Sequence, residues 1–383
     1  MYNIIDLFSG VGGLTFGFEY EIKANSFCKR KIFKSVLAID NDKDAVKAFS
    51  ENFPKIPVLN KDIRLVEFED FEKMNVDVTC IDAIIGGPPC QSFSTIGRRR
   101  NDDRAKLYEQ YIRLISVLKP KIFLFENVKG LLSMKSESND LVVNRIKSEF
   151  LKNGYNIKWK VLNAASFGVP QIRERVFIVG VRKDINTEFQ FPKEKLVFKD
   201  YVNLSDAILD LPVLGNGQSS ITYIGPPLSE YAKLMRNNSK ELRNHTNGAK
   251  SELIMRIIEN LDEGESKKEL NCKVIEGRIS PELFRKSGYD NTYGRLWWNR
   301  PGMTITNKIN CPSSLRCIHP SQNRALTPRE GARIQSFPDW YRFHGSNYSV
   351  MSQIGNAVPP LLSIYLADMI ADFLERMSIN ESN

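Results

Sequence analysis

Ile4-Ile5-Asp6-Leu7-Phe8-Ser9-Gly10-Val11-Gly12-Gly13-Leu14 is the stretch on which the fold turns. Ile4 to Phe8 reads as a buried strand, and the glycines behind it let the chain swing into an amphipathic helix. The unit then repeats. Ser35 to Ile39 is a second strand ending in Asp40, followed by a helix through Ala45 and Phe49. Pro57-Val58-Leu59-Asn60 is a short third strand ending near Asp62. Ala83-Ile84-Ile85 is a fourth, stopped by Gly86-Gly87-Pro88-Pro89, and Ile122 to Phe125 is a fifth with Glu126 behind it. Further strands are expected over 158–163 and 175–181. Strands alternating with helices predict an α/β fold with a parallel sheet, whose ligands sit outside the carboxyl ends of the strands. Asp6, Asp40, Asp62, Cys90 and Glu126 fall there.

The alternation stops near residue 184. Residues 184–323 are rich in Asn, Lys, Ser, Gly and Pro and read as a second, irregular domain. Order returns at Leu326-Thr327-Pro328-Arg329-Glu330, where Thr327, Pro328 and Glu330 form a capping box with proline in the first turn. The last apolar helix, 361–373, has the period to pack back onto the sheet. The expected division is 1–183, 184–323 and 324–383.

The 383 residues suffice for two or three domains of about 150 each. Hydrophobic residues at 42% and charged residues at 26% match a globular chain, not a disordered one. No run approaches the ~20 uncharged apolar residues of a membrane helix, and Met1 to Asp6 lacks a signal-peptide pattern. A cytoplasmic protein is expected. The net charge of +9 favours a polyanionic partner such as nucleic acid, although a merely soluble surface would also carry it. Cysteines at 28, 80, 90, 272, 311 and 317 and histidines at 245, 319 and 344 have no metal-site spacing. A reduced protein without metal follows.

Four motifs carry chemistry. The glycine turn lacks the third glycine of the dinucleotide fingerprint, since Thr15 stands there. With Phe8 for a purine face and Asp40 for ribose hydroxyls, it suits a nucleoside without pyrophosphate; the bland alternative is a turn with no ligand. In Gly86-Gly87-Pro88-Pro89-Cys90-Gln91-Ser92-Phe93-Ser94, a cysteine in a polar loop at the ligand edge reads as a nucleophile, given something to lower its pKa. The segment behind it carries Arg98-Arg99-Arg100, phosphate-seeking or simply solvated. In Phe125-Glu126-Asn127-Val128, a half-buried carboxylate should hold a proton at raised pH, unless it is only an ion-pair partner. Gln171-Ile172-Arg173-Glu174-Arg175-Val176 opens a strand, which places Arg173 and Arg175 on one face; they suit an acceptor-rich ligand or structural salt bridges.

These blocks, with Arg324 to Pro338 and Gln353-Ile-Gly-Asn-Ala-Val-Pro359, resemble the DNA cytosine-5 methyltransferase family of the bacterial restriction-modification type. The resemblance covers the chain from residue 4 onward except 184–323, which the family uses as a variable target-recognition domain. It implies a Rossmann-like sheet that uses S-adenosyl-L-methionine, with a second, smaller irregular domain. It implies Cys90 as the thiolate that adds to carbon 6 of cytosine, Glu126 on ring nitrogen 3 and the exocyclic amine, and Arg175 on the carbonyl oxygen. Arg173 would support the pocket and assist the thiol.

For the cofactor the resemblance implies Phe8 against adenine, Asp40 on ribose, Asp62 near the adenine amine, and Gly10, Gly12 and Asn356 near the methionine moiety. Gly13, Ile63, Pro88, Leu107, Ala357 and Val358 flank them. Two departures stand out: Ala105 replaces a family glycine before Leu107, and Asn41 follows Asp40 where an apolar residue is usual.

The resemblance implies double-stranded DNA as partner, with the cytosine extruded from the stack. Gln91, Ser92, Ser94, Arg98, Arg99, Arg100 and Arg104 would contact DNA. Arg243, His245, Arg295, Trp297, Trp298, Thr304 and Thr306 are candidates for reading or wedging bases, with a place in the core as the equal alternative for Trp297 and Trp298. With no regulatory segment before residue 4, a monomeric modification enzyme with a cognate endonuclease is expected. A transfer-RNA cytosine-5 methyltransferase is the alternative, against which Ser92 stands where that branch carries proline. A catalytically silent relative is the other.

Overall fold

The computed structural model describes residues 1–89, 107–135 and 139–382, with side chains to residue 380. In chain order the first part comprises β1 (Tyr2–Leu7), α1 (Gly13–Glu19), β2 (Tyr20–Lys23), β3 (Ser26–Lys29), β4 (Phe33–Asp40), α2 (Lys43–Asn52), β5 (Val58–Asn60) and α3 (Phe68–Lys73). Then follow β6 (Ala83–Gly86), α4 (Leu107–Leu118), β7 (Ile122–Val128), α5 (Val142–Lys152), β8 (Tyr155–Asn163) and β9 (Glu174–Arg182).

Seven strands form one sheet in the order β5-β4-β1-β6-β7-β9-β8. All run the same way except β9, which is antiparallel to β7 and β8. The sequence predicts only parallel strands. The reversal follows from chain length, because residues 164–173 between β8 and β9 are fewer than the dozen or so that a parallel crossover needs. Burial alternates along the strands. Ile4, Ala38, Ala83, Ile85, Ile122 and Leu124 face one core, while Ile5, Leu37, Ile84, Phe123 and Phe125 face the other. This period of two fixes which side chains at the carboxyl ends share a face.

The chain moves outward from β1 in both directions, to β4 and β5 on one side and to β6 and β7 on the other. The switch point therefore lies between β1 and β6, where an open α/β sheet leaves its ligand crevice. Leu7 pairs with Gly86, and Gly86 with Phe125, so the glycine turn, the Gly87-Pro88-Pro89 segment and Glu126 emerge side by side.

Residues 184–323 are irregular, as expected. They hold α6 (Leu204–Ile208), α7 (Glu230–Arg236), α8 (Glu252–Glu259), α9 (Lys267–Ile275) and a two-stranded ladder of β10 (Gly294–Arg295) and β11 (Arg316–Ile318). Ile257, Ile258, Leu261, Leu270, Leu283, Tyr293 and Ile318 make a small separate core. Leu204, Ile208, Met235 and Ile305 join the large one instead.

The chain closes with α10 (Pro328–Ile334), α11 (Asn347–Asn356) and α12 (Pro360–Ser382). The capping box is present: Thr327 Oγ1 accepts from Glu330 N, and Glu330 Oε2 accepts from Thr327 N at 2.7 Å. Arg333 is fully buried between Asp210 and Asp339, at 2.6 and 2.7 Å. The stretch Asn347–Asn380 is long and apolar enough to cross a membrane by length and composition, but 78% of its most apolar window is buried in the fold. Its apolarity is that of a core helix.

Candidate active site

Glu126 sits inside β7, not behind it, because the strand runs on to Val128. It shares a face with Arg175, which pairs with Val128 in β9 and so lies diagonal to it. Arg175 Nε is 3.2 Å from Glu126 Oε1, with both side chains mostly buried. The other carboxylate oxygen rests on Gly87, where an added Cβ would stand 2.9 Å from Glu126 Oε2. Burial raises the Glu126 pKa, and the opposing Arg175 and Arg173 charges do not cancel it. Burial thus favours the neutral form of this carboxyl. Asn127, on the opposite face, donates from Nδ2 to the Pro88 carbonyl at 3.3 Å and ties the proline segment to β7. The sequence reading gave Asn127 and Gly87 no individual role; glycine or asparagine beside a reactive motif is the signal that bears on them.

Arg173 departs from its expected position. The strand begins at Glu174, so Arg173 precedes it and does not present its guanidinium to the carboxylate as Arg175 does. Its Nη1 donates to Ile305 O at 3.0 Å, and its Nη2 to Gly355 O and Ala357 O at 3.0 and 3.1 Å. It is a brace on backbone carbonyls. Only its charge reaches Glu126.

On the other side of the switch point, Phe8, Gly10 and Gly12 all have positive φ, at 61, 53 and 87°. Phe8 in this region costs about 1–3 kcal/mol, the kind of strain that clusters at ligand sites; it also ends β1 one residue before the expected strand end. Asp40 Oδ2 accepts from Gly10 N at 2.8 Å and Oδ1 from Asp42 N at 2.9 Å, which leaves lone pairs on both oxygens. Among the described residues an added Cβ on Gly10 would meet nothing within 4 Å, whereas one on Gly13 would lie 2.4 Å from Val358 O and 2.9 Å from Ala357 Cβ. Open space thus lies over Gly10, while the bare Gly13 lets the 356–358 segment close on the turn. Asn356 is exposed, Ala357 half-buried and Val358 buried.

Two buried polar atoms of this loop, Asp6 Oδ1 and Ser9 Oγ, have no hydrogen-bond partner among the described residues. Asp6 Oδ2 accepts from Thr15 Oγ1 at 2.5 Å, and burial lifts the Asp6 pKa to about 7. Open space, orphaned polar atoms, a diol-ready carboxylate and a half-buried phenyl fit a nucleoside cofactor such as S-adenosyl-L-methionine.

Asp62 caps the turn holding buried Ile63 and carries the Arg64 guanidinium at 2.6 Å, which holds its carboxyl below the usual range. Pro88 is buried and Leu107 starts α4 half-buried. Cys90, Gln91, Ser92, Ser94, Arg98, Arg99, Arg100 and Arg104 lie outside the described residues.

Several candidates for base reading are occupied elsewhere. Arg295 is buried, and its guanidinium donates to Leu261 O, His319 O, Gln322 O, Ile258 O and Asn323 Oδ1. His245 is buried between Thr327 Oγ1 and Pro212 O. Trp297 is sandwiched by Arg300 and Arg316, and Trp298 stands edge-on to His319. Thr304 donates to Ile172 O, and Thr306 accepts from Lys308 N. Arg243 is partly exposed and pairs with Glu241.

The seven-stranded sheet with its reversed strand, and the glycine turn and Glu126–Arg175 pair at its carboxyl edge, have the architecture of a Rossmann-like methyltransferase. The chain belongs to the C-5 cytosine-specific DNA methylase family, whose model matches residues 2–372, and is an enzyme of that class. It is 36% identical to the Type II methyltransferase M.DdeI of Desulfomicrobium norvegicum over all of this chain and 91% of that one. It is 33% identical to M.AgeI of Thalassovita gelatinovora over 96% and 98%. Among solved structures it is similar to a prophage-encoded E. coli protein named as a DNA modification methyltransferase, with a TM-score of 0.74, 28% identity and coverage of 98% and 100%. A Spodoptera frugiperda DNMT2 mutant matches in fold, with a TM-score of 0.56, 18% identity and coverage of 97% and 99%.

Proposed function

We propose that the chain transfers a methyl group to carbon 5 of a cytosine extruded from duplex DNA, through a transient bond between Cys90 and carbon 6. The observation that carries this reading is the Glu126 carboxyl, its pKa raised by burial, paired with Arg175 and resting on Gly87 at the root of the Pro-Pro-Cys segment.

Carbon 5 of cytosine is a poor nucleophile until a thiolate adds at carbon 6 and makes the ring an enamine. Glu126 gives ring nitrogen 3 the proton or hydrogen bond that draws electrons from sulfur into the ring. Arg175 holds the carbonyl oxygen and keeps its charge beside the developing anion. Cys90, next in sequence after Pro89, supplies the sulfur. Bound S-adenosyl-L-methionine supplies an electrophilic methyl group. Phe8, Gly10, Gly12, Gly13, Asp40 and Asn356 to Val358 hold it, with Asp62, Ile63, Pro88 and Leu107 at the rim. Loss of the carbon-5 proton then expels the thiol and restores the ring. Arg173 braces the pocket.

Extruding the base costs a few kcal/mol, which phosphate contacts must offset. Arg98, Arg99, Arg100 and Arg104, with Gln91, Ser92 and Ser94, are assigned to that clamp. Residues 184–323 serve as target-recognition domain between the catalytic parts 1–183 and 324–383. Relatives named Type II methyltransferases support a modification enzyme whose methyl mark blocks a cognate endonuclease; the chain is assigned to the cytoplasm as a monomer. Duplex DNA and transfer RNA offered with tritiated S-adenosylmethionine test the substrate: label enters DNA alone. Bisulfite sequencing of DNA from expressing cells then maps the site, and an unmarked genome in cells holding active protein contradicts the reading.

A further inference from the structure

Three buried side chains, Gln171, Gln335 and Arg173, close a hydrogen-bonded ring with the backbone of Ile305 and Ala357. Ile305 N donates to Gln171 Oε1 at 2.9 Å, Gln171 Nε2 donates to Gln335 Oε1 at 2.5 Å, and Gln335 Nε2 donates to Ala357 O at 2.6 Å. Arg173 completes it, reaching Ala357 O at 3.1 Å and Ile305 O at 3.0 Å. Gln171 and Gln335 are wholly buried and Arg173 is 2% exposed. The polarity admits one solution. A carbonyl at Ala357 only accepts, so Gln335 must turn its amide nitrogen there and its oxygen to Gln171. Gln171 must then give its nitrogen to Gln335 and its oxygen to the Ile305 N–H. Each position needs a side chain that donates at one end and accepts at the other, and glutamine is the residue with that reach.

The ring joins three parts of the machinery. Ile305 belongs to the segment before α10, Gln171 leads within two residues to Arg173 and then to Arg175, and Ala357 lies in the segment that closes on Gly13. We propose that Gln171 and Gln335 are positioning residues, holding the Asn356–Val358 segment at a fixed offset from Arg175 so that the cofactor meets the base pocket correctly. The proposal rests on the functional reading above. Neither side chain touches the glycine turn or Glu126; they act through backbone.

Gln335→Met keeps the volume and removes both hydrogen bonds of that side chain. Tyr155→Phe is the matched control, since its buried hydroxyl donates to Pro120 O at 2.8 Å near the other edge of the sheet. S-adenosylmethionine affinity is measured by calorimetry, and affinity for a duplex that the wild type methylates by filter binding. The expected result is a cofactor Kd about tenfold higher in Gln335→Met, the effect of losing the one of its two hydrogen bonds that holds Ala357. Duplex affinity stays within about twofold in that variant, as do both affinities in Tyr155→Phe. Should Gln335→Met not fold, Gln335→Leu removes the same donor to Ala357 with a shorter side chain, and Gln171 Nε2 keeps its second acceptor, Ile334 O, at 3.3 Å. An unchanged cofactor Kd in a folded variant, a parallel loss of both affinities, or an equal cofactor loss in Tyr155→Phe overturns the proposal. A wild type that binds no S-adenosylmethionine overturns the cofactor reading instead, and the two failures are distinct.

Discussion

Glu126 Oε1 and Arg175 Nε stand 3.2 Å apart on neighbouring antiparallel strands, and the carboxyl pKa is nevertheless raised because burial outweighs the pairing. A group in this state is a stronger proton holder than an ordinary glutamate, with a cation at its side. Glu126→Gln keeps the shape and removes the transferable proton. The kcat should fall about 10²–10⁴-fold, while the melting temperature changes little. Wild-type kcat should decline as pH rises through the elevated Glu126 pKa, and the residual activity of the variant should lack that limb. Steady-state kinetics over a pH series checks both.

Gly87→Ala separates activity from folding. The new Cβ would come within 2.9 Å of Glu126 Oε2, and the carboxyl, at the end of a flexible side chain, yields first. Thermal stability should hold, but a displacement of this size at a reacting group costs on the order of 10²-fold in kcat. Near-native turnover in single-turnover assays would remove Gly87 from the site.

Asp6 gives a stability signature. Burial pushes its folded pKa up to about 7, above the ordinary aspartate value of about 3.9, so the folded state binds the extra proton. Its contribution is full below about pH 4 and is lost as pH climbs through 7. Asp6→Asn still accepts from Thr15 and carries no charge. Denaturant titration should find the variant gaining on the wild type from pH 5 to pH 8, with the gap flattening beyond. An identical pH slope in both proteins would contradict the burial of that carboxyl.

Much of this was legible in the chain and some was not. Strand positions were readable because apolar runs such as Ile122 to Phe125 stop at polar punctuation. Asp40 and Glu126 could be placed because a parallel sheet exposes its carboxyl ends. The reversal of β9 was hidden, since it depends on the length of 164–173 against what a crossover needs. The carbonyl partners of Arg173 and Arg295 were hidden together: a guanidinium looks the same in sequence whether its acceptors are a ligand or backbone carbonyls distant in the chain. His245 failed for the same reason, its partner Thr327 lying far along the sequence. Cys90 and the arginines behind it lie outside the described residues, so their roles rest on the sequence.

Arg333 holds the fold, not the chemistry. Its guanidinium is wholly buried against Asp210 and Asp339, and removing one partner from such a group strands the others. Arg333→Met should lose about 3–5 kcal/mol of stability. Arg376→Ala, which breaks an exposed pair with Asp372, should lose under about 1 kcal/mol. Urea denaturation of both variants measures the contrast.

The covalent step is tested most directly on DNA copied with 5-fluorocytosine throughout, which removes the need to know the target sequence. Sulfur adds to carbon 6 and the methyl arrives at carbon 5, but fluorine there cannot depart as a proton does, so the thiol stays bound. With S-adenosylmethionine present, the wild type should form a complex that survives denaturing electrophoresis, with the nucleotide mapped by mass spectrometry to the peptide containing Cys90. Cys90→Ser should form none. A wild type that methylates ordinary DNA yet leaves no adduct, or an adduct on any other residue, would contradict the mechanism.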